Sequence, residues 1–170
     1  RQHAKLVRND FSSAMIKVIL DCNVFLQAIG KGGNHAFGCL ELVSRDHVRL
    51  MMSQECLAEI LEVLARPELK AILPGLTDER VSSLQGWIEE YAEFVARVPI
   101  VLRHKFDPKD EPYINLAIAS GKSFLVSWDK HILSLRNADT EQGNSFAENY
   151  PSVVILTPKE FLDDFYKGNL

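Results

Sequence analysis

No apolar run in this 170-residue chain reaches the roughly 18 to 20 residues that a membrane span needs, so a membrane role is not expected. Residues 1–14 are polar and carry Arg1, Lys5 and Arg8 without an apolar stretch behind them, which is not the profile of a secretory leader. Cysteine is scarce. Cys22, Cys39 and Cys56 are an odd number, sit inside apolar segments and show no zinc spacing, so they read as small buried hydrophobes in a reducing cytoplasm. Also missing are internal repeats, low-complexity tracts and any linker that would divide the chain. Residues 21–33 lack the G-x-G-x-x-G of a dinucleotide site, and Gly30-Lys31-Gly32-Gly33 is not a phosphate loop. No Ser-His-Asp or Cys-His arrangement stands out, and His3, His35, His47, His104 and His131 are scattered.

The rest is ordinary for a globular chain. Hydrophobic residues make up 46%, and the length suits one domain. The formal net charge of −4 disfavours a broad, sequence-independent nucleic-acid binder. Arg103, His104, Lys105 and Lys109 still offer local positive charge for phosphates. Residues 1–14 are expected to be an N-terminal extension or an expression remnant ahead of Met15, and residues 15–170 one domain.

Apolar periodicity predicts buried strands at Ile16–Leu20, Val48–Met52, Val98–Leu102, Ser123–Ser127 and Val153–Leu156. Helices are predicted over Ala36–Val43, after Ser53, from Thr77 through Val95, over Asp110–Ser120 with Gly121 as its stop, over Lys130–Leu135, and from Thr157-Pro158 through Phe165. Pro67 is expected to end or interrupt the second of these. Residues 22–34 and 137–151 read as loops. Strands alternating with helices predict an α/β fold, a three-layer α/β/α sandwich with a central parallel sheet.

In such a sheet, ligands collect beyond the carboxyl ends of the strands. Asp21 directly follows the first strand, and Asp129 comes two residues after the fourth. Glu59 lies about two turns into the helix after the second strand. Asp110 and Glu111 open the helix that leads into the fourth. Each acid alone has a plain alternative. Glu59 shares its helix with Glu55 and Glu62, as on a solvated face, Asp110 suits a helix N-terminus, and Asp107-Pro108 is a turn signal. Together they predict a carboxylate cluster suited to a hard divalent cation.

The motifs then point to a family. Leu20-Asp21-Cys22-Asn23-Val24-Phe25, Ser53-Gln54-Glu55-Cys56-Leu57-Ala58-Glu59, Asp107-Pro108-Lys109-Asp110-Glu111 and Leu125-Val126-Ser127-Trp128-Asp129 resemble, in order, the four motifs of PIN domains. The nearest subgroup is the toxins of bacterial toxin–antitoxin pairs. The resemblance implies an endoribonuclease that hydrolyses RNA with a metal-activated water. Asp21, Glu59, Asp110 and Asp129 would ligate Mg²⁺ or Mn²⁺, with Glu111 as the alternate third acid. Asn23, Ser53 and Ser127 would be supporting groups. Trp128, Lys130 and His131 are weaker candidates for touching substrate; Trp128 equally suits the core or a dimer interface. An antitoxin partner and a homodimer are implied, with Thr77–Val95 and Pro158–Phe165 as candidate surfaces. A haloacid-dehalogenase-type phosphatase needs a second aspartate where Asn23 stands. A PIN-like binding module without catalysis is the alternative from another class.

Overall fold

The computed structural model describes residues 15–32, 34–103 and 107–170. The expectations for residues 1–14, Gly33, His104 and Lys105 lie outside them.

Lys17–Leu20 forms β1, and its β-branched, apolar residues are buried as a central parallel strand requires. The chain turns at once into α1, Cys22–Lys31, where a loop was expected. The Asp21 carboxylate accepts from the Val24 amide as N-cap, and Cys22, Val24, Phe25 and Ala28 bury one helical face. Gly30 and Gly32, which suggested a loop, fall at its end, where Gly32 takes φ 62. α2 is His35–Ser44, followed by β2, Arg49–Met52. α3, Gln54–Leu64, starts from Ser53, whose hydroxyl accepts from the Cys56 amide at 3.1 Å. Pro67 does interrupt that helix, by taking the first turn of α4, Pro67–Ile72.

α5, Asp78–Tyr91, stops short of Val95, because Glu93–Phe94 leaves the helix to form β3 against Met51 and Met52. The strand expected at Val98–Leu102 does not form. The buried Asn115 side chain accepts from the Val101 and Leu102 amides at 3.0 and 2.9 Å and donates to the Leu102 carbonyl at 2.9 Å. That one amide takes the place of a strand neighbour, and Ile100 and Val101 stay exposed.

A short 3₁₀ turn, Pro108–Asp110, leads into α6, Glu111–Ala119. Gly121 just beyond it takes φ 76, the left-handed stop its position predicts. β4 is Ser123–Val126, buried throughout, and α7 is Lys130–Ser134. The expected loop at 137–151 contains α8, Glu141–Asn149, whose sequence hides it because only Gly143 and Phe146 are buried. β5, Val153–Leu156, and α9, Pro158–Lys167, close the chain, with Thr157 and Glu160 forming a capping box.

The five strands run parallel in the order β3-β2-β1-β4-β5. Helices cover both faces, which makes the predicted three-layer α/β/α sandwich. The core joins Val18, Ile19 and Leu20 of β1 to Leu125 and Val126 of β4, with Phe25, Ile60, Ile114 and Phe161 from the helices. Among the described residues the three cysteines are free and buried, and burial pushes the Cys39 and Cys56 thiols up to about 12. Among the described residues no helix is long and apolar enough to cross a membrane.

The strand order fixes where a site can lie. The chain runs from β1 outward through β2 and β3, then crosses back to β4 and outward to β5. The direction reverses between β1 and β4, and the carboxyl ends of these two strands frame the crevice where such sheets bind ligands.

Candidate functional site

Asp21 leaves the end of β1 and is only 3% exposed. Its amide donates to the Val126 carbonyl at 3.3 Å, which ties it to β4. One carboxylate oxygen accepts from the Val24 amide at 3.0 Å, and the other accepts from the Ser127 hydroxyl. Ser127 also accepts from the Asp129 amide at 2.8 Å. One buried serine therefore holds both aspartates that frame the crevice. Asp129 caps α7 by accepting from the His131 amide at 2.7 Å.

Glu59 arrives from α3, half-buried, and accepts a hydrogen bond from the Tyr113 hydroxyl. Asp110 arrives from the 3₁₀ turn, and its Oδ2 is buried with no hydrogen-bond partner among the described residues. All four predicted acids line a single cleft of about 170 Å³, together with Cys22, Asn23, Val63, Arg66, Asp107, Lys109 and Tyr113. Four separate stretches of chain thus converge, joined in sequence by nothing but the sheet topology.

The electrostatics follow from that convergence. Burial is the largest cause that pushes the Asp21 carboxyl up to about 7; bonds from Ser127 and Val24 oppose the rise, and the charges of Asp129 and Glu59 add to it. Burial also pushes Asp110 up to about 7, with Asp129, Asp107, Asp21 and Glu59 adding repulsion. Glu59 is raised by burial, against its bond from Tyr113 and the nearby Lys109 charge. Five carboxylates face two cationic side chains in the cleft. One of these, Arg66, is ion-paired at 3.1 Å with Glu62. Among the described residues no lysine or arginine forms an ion pair with any of the four predicted acids. Such a set either takes up protons or takes up a cation.

The other expected residues fall in different places. Asn23 lines the cleft and is exposed. Ser53 lies outside it and acts as the cap of the helix that carries Glu59. Asp110, not Glu111, is the acid of that pair among the lining residues. Trp128 is partly buried against the core, and Lys130 is exposed at the start of α7. His131 stands 3.6 Å from Asp129 through Nδ1 and groups with Asp107 and Asp110. Among the lining residues, Arg66, Tyr113 and Asp107 escaped sequence reasoning as site residues. Tyr113 was legible only as the residue three after Asp110 on a helix, hence on the same face. Asp107 was read as a turn former, and it is one, since it accepts from the Lys109 amide at 2.9 Å.

Residues 17–131 match the family model described as PIN domain. The chain is 28% identical over 160 residues to the uncharacterized protein MJ1680 of Methanocaldococcus jannaschii, covering 89% of this chain and 93% of that one. A solved structure, VapBC2 from Rickettsia felis bound to a DNA fragment from their promoter, aligns with a TM-score of 0.48 and 16% identity, over 84% of this chain and 98% of that one.

Proposed function

The chain belongs to the PIN-domain family, whose members are generally nucleases that use divalent metals, and from that premise we propose that it is a metal-dependent endoribonuclease. The observation that carries the proposal is the convergence of Asp21, Glu59, Asp110 and Asp129 on one cleft at the reversal between β1 and β4. The donor set fits the cation. It offers carboxylate oxygens, as Mg²⁺ or Mn²⁺ prefers, and it includes the buried Asp110 oxygen that has no hydrogen-bond partner among the described residues. When bound, such an ion polarises a phosphoryl oxygen and makes water acidic enough to attack.

The chain's own side chains do the positioning. Ser127 fixes Asp21 relative to Asp129, and Tyr113 fixes Glu59. With Asp21 and Asp110 pushed up to about 7, the site exchanges protons for a cation near neutral pH. Lys109 and Arg66, at the same cleft, supply positive charge for the RNA backbone. Asn23, exposed at the rim, is a hydrogen-bonding group for a phosphate or water. Trp128, Lys130 and His131, which neighbour Asp129 in sequence, are candidate substrate contacts. The motif resemblance supports the narrower reading of a cytoplasmic toxin that dimerises and is held by an antitoxin protein.

The test is RNA cleavage in Mg²⁺ or Mn²⁺ against chelator, with Asp21→Asn alongside. Cleavage should need the metal and fall about a hundredfold or more in the variant. A melting temperature that neither ion moves, with RNA left intact, would instead favour a binding module without catalysis.

A further inference from the structure

The residues Asp107, Asp110 and His131 each bring one ligand atom into a group whose members all lie within 4.8 Å of one another. Asp107 and Asp110 come from the 3₁₀ turn and its cap, and His131 from the first turn of α7. Asp110 is 9% exposed, and its Oδ2 is buried without a hydrogen-bond partner among the described residues. A desolvated carboxylate oxygen with no donor is unfavourable unless something charged meets it. Here the neighbouring groups are two further metal-ligating side chains, and one of them is an imidazole.

We infer that Asp107, Asp110 and His131 form a second cation position that shares Asp110 with the acid cleft and takes a divalent transition ion in preference to Mg²⁺. The donor chemistry sets the preference. Mg²⁺ demands oxygen and holds its waters tightly, whereas an imidazole nitrogen beside two carboxylates suits the borderline first-row ions. The surrounding residues prepare each ligand. Asp107 accepts from the Lys109 amide at 2.9 Å, which holds the turn in shape. His131 Nδ1 lies 3.6 Å from Asp129 Oδ1, so a carboxylate of the acid cleft borders the ring. Sharing Asp110 couples the two positions, so filling one alters the affinity of the other. The inference extends the proposed nuclease site and rests on that reading for its biological use, but not for its chemistry.

Mn²⁺ is the probe, because its spin reports directly bound nitrogen. The full chain is titrated with Mn²⁺ and measured by electron spin echo, with His131→Gln and Asp107→Asn in parallel and RNA cleavage followed separately. Asn at position 107 keeps the acceptor that caps the turn, and metal-free melting curves check that both variants fold. The parent should show nitrogen coupling on bound Mn²⁺. His131→Gln should abolish it, and both variants should bind Mn²⁺ at least about tenfold more weakly at this position. Bound Mn²⁺ without nitrogen coupling in the parent overturns the inference and leaves the acid cleft untouched. Nitrogen coupling that survives in His131→Gln also overturns it. Nitrogen-coupled Mn²⁺ in a parent that cuts no RNA upholds the cation site while the nuclease proposal fails.

Discussion

Replacing Asp21 with asparagine should stabilise the metal-free protein, by an amount set by pH. The carboxyl is displaced from its ordinary 3.8 to about 7, which corresponds to about 4 kcal/mol against the ionised form in the folded state. The unfolded chain releases this proton near 3.8 and the folded chain near 7. Between those values the folded state binds more protons, so the stability of the parent falls as pH rises through the window and levels off above it. Asparagine has no proton to lose, and its carbonyl can still accept from the Val24 amide, as the aspartate does at 3.0 Å. Parent and variant should therefore be close in stability near pH 4, and the variant should exceed the parent by up to about 4 kcal/mol near pH 8. Urea unfolding in chelator across that range reads the difference from the midpoints. Adding Mn²⁺ at about a hundred times its dissociation constant should stabilise the parent by about 2.7 kcal/mol and the variant by less. A difference between parent and variant that does not change with pH would refute the reasoning, because Asp21 would then not be titrating in the folded protein.

Ser127→Ala removes the donor to Asp21 and strands the Asp129 amide; it should lower thermal stability by about 1 to 3 kcal/mol and weaken Mn²⁺ binding in calorimetry. Tyr113→Phe keeps the packing but frees Glu59, and should weaken Mn²⁺ binding by about tenfold while the far-ultraviolet circular dichroism spectrum stays unchanged. Asn115→Ala should expose the Val101 and Leu102 amides to rapid hydrogen exchange and lower stability by about 2 kcal/mol, with most other amides still protected. Gly143→Ala would drive a methyl group to 2.0 Å from the Asn137 carbonyl oxygen, which is backbone, and should lower the unfolding free energy by about 3 kcal/mol in urea.

The parallel sheet was legible in the sequence because its central strands are buried on both faces and therefore read as short apolar runs with an acid at or just beyond their end. Ile16–Leu20 and Ser123–Ser127 are such runs, and the structure places strands within both. Val98–Leu102 has the same look and is not a strand, because Asn115 takes over its hydrogen bonding from 13 and 14 residues away, a distance that local pattern does not reveal. β3 has only two residues, too few for periodicity to register. α1 was hidden by Gly30, Gly32 and Gly33, although Asp21 had already supplied its cap. In the cleft, acids that follow strands were visible, since the topology of the sheet gives those positions meaning. Tyr113 and Asp107 were not, because their places depend on how α6 and its turn pack against α3. Ser127 was expected as a supporting group; that it joins the Asp21 carboxylate to the Asp129 backbone amide depends on β1 and β4 being neighbours.

The most direct test of the account is anomalous scattering from crystals soaked in Mn²⁺. The account predicts a peak bounded by the carboxylates of Asp21, Glu59, Asp110 and Asp129, lost in crystals of Asp21→Asn. Well-ordered carboxylates with no Mn²⁺ among them at saturating concentration, or an equal peak in the variant, would contradict it.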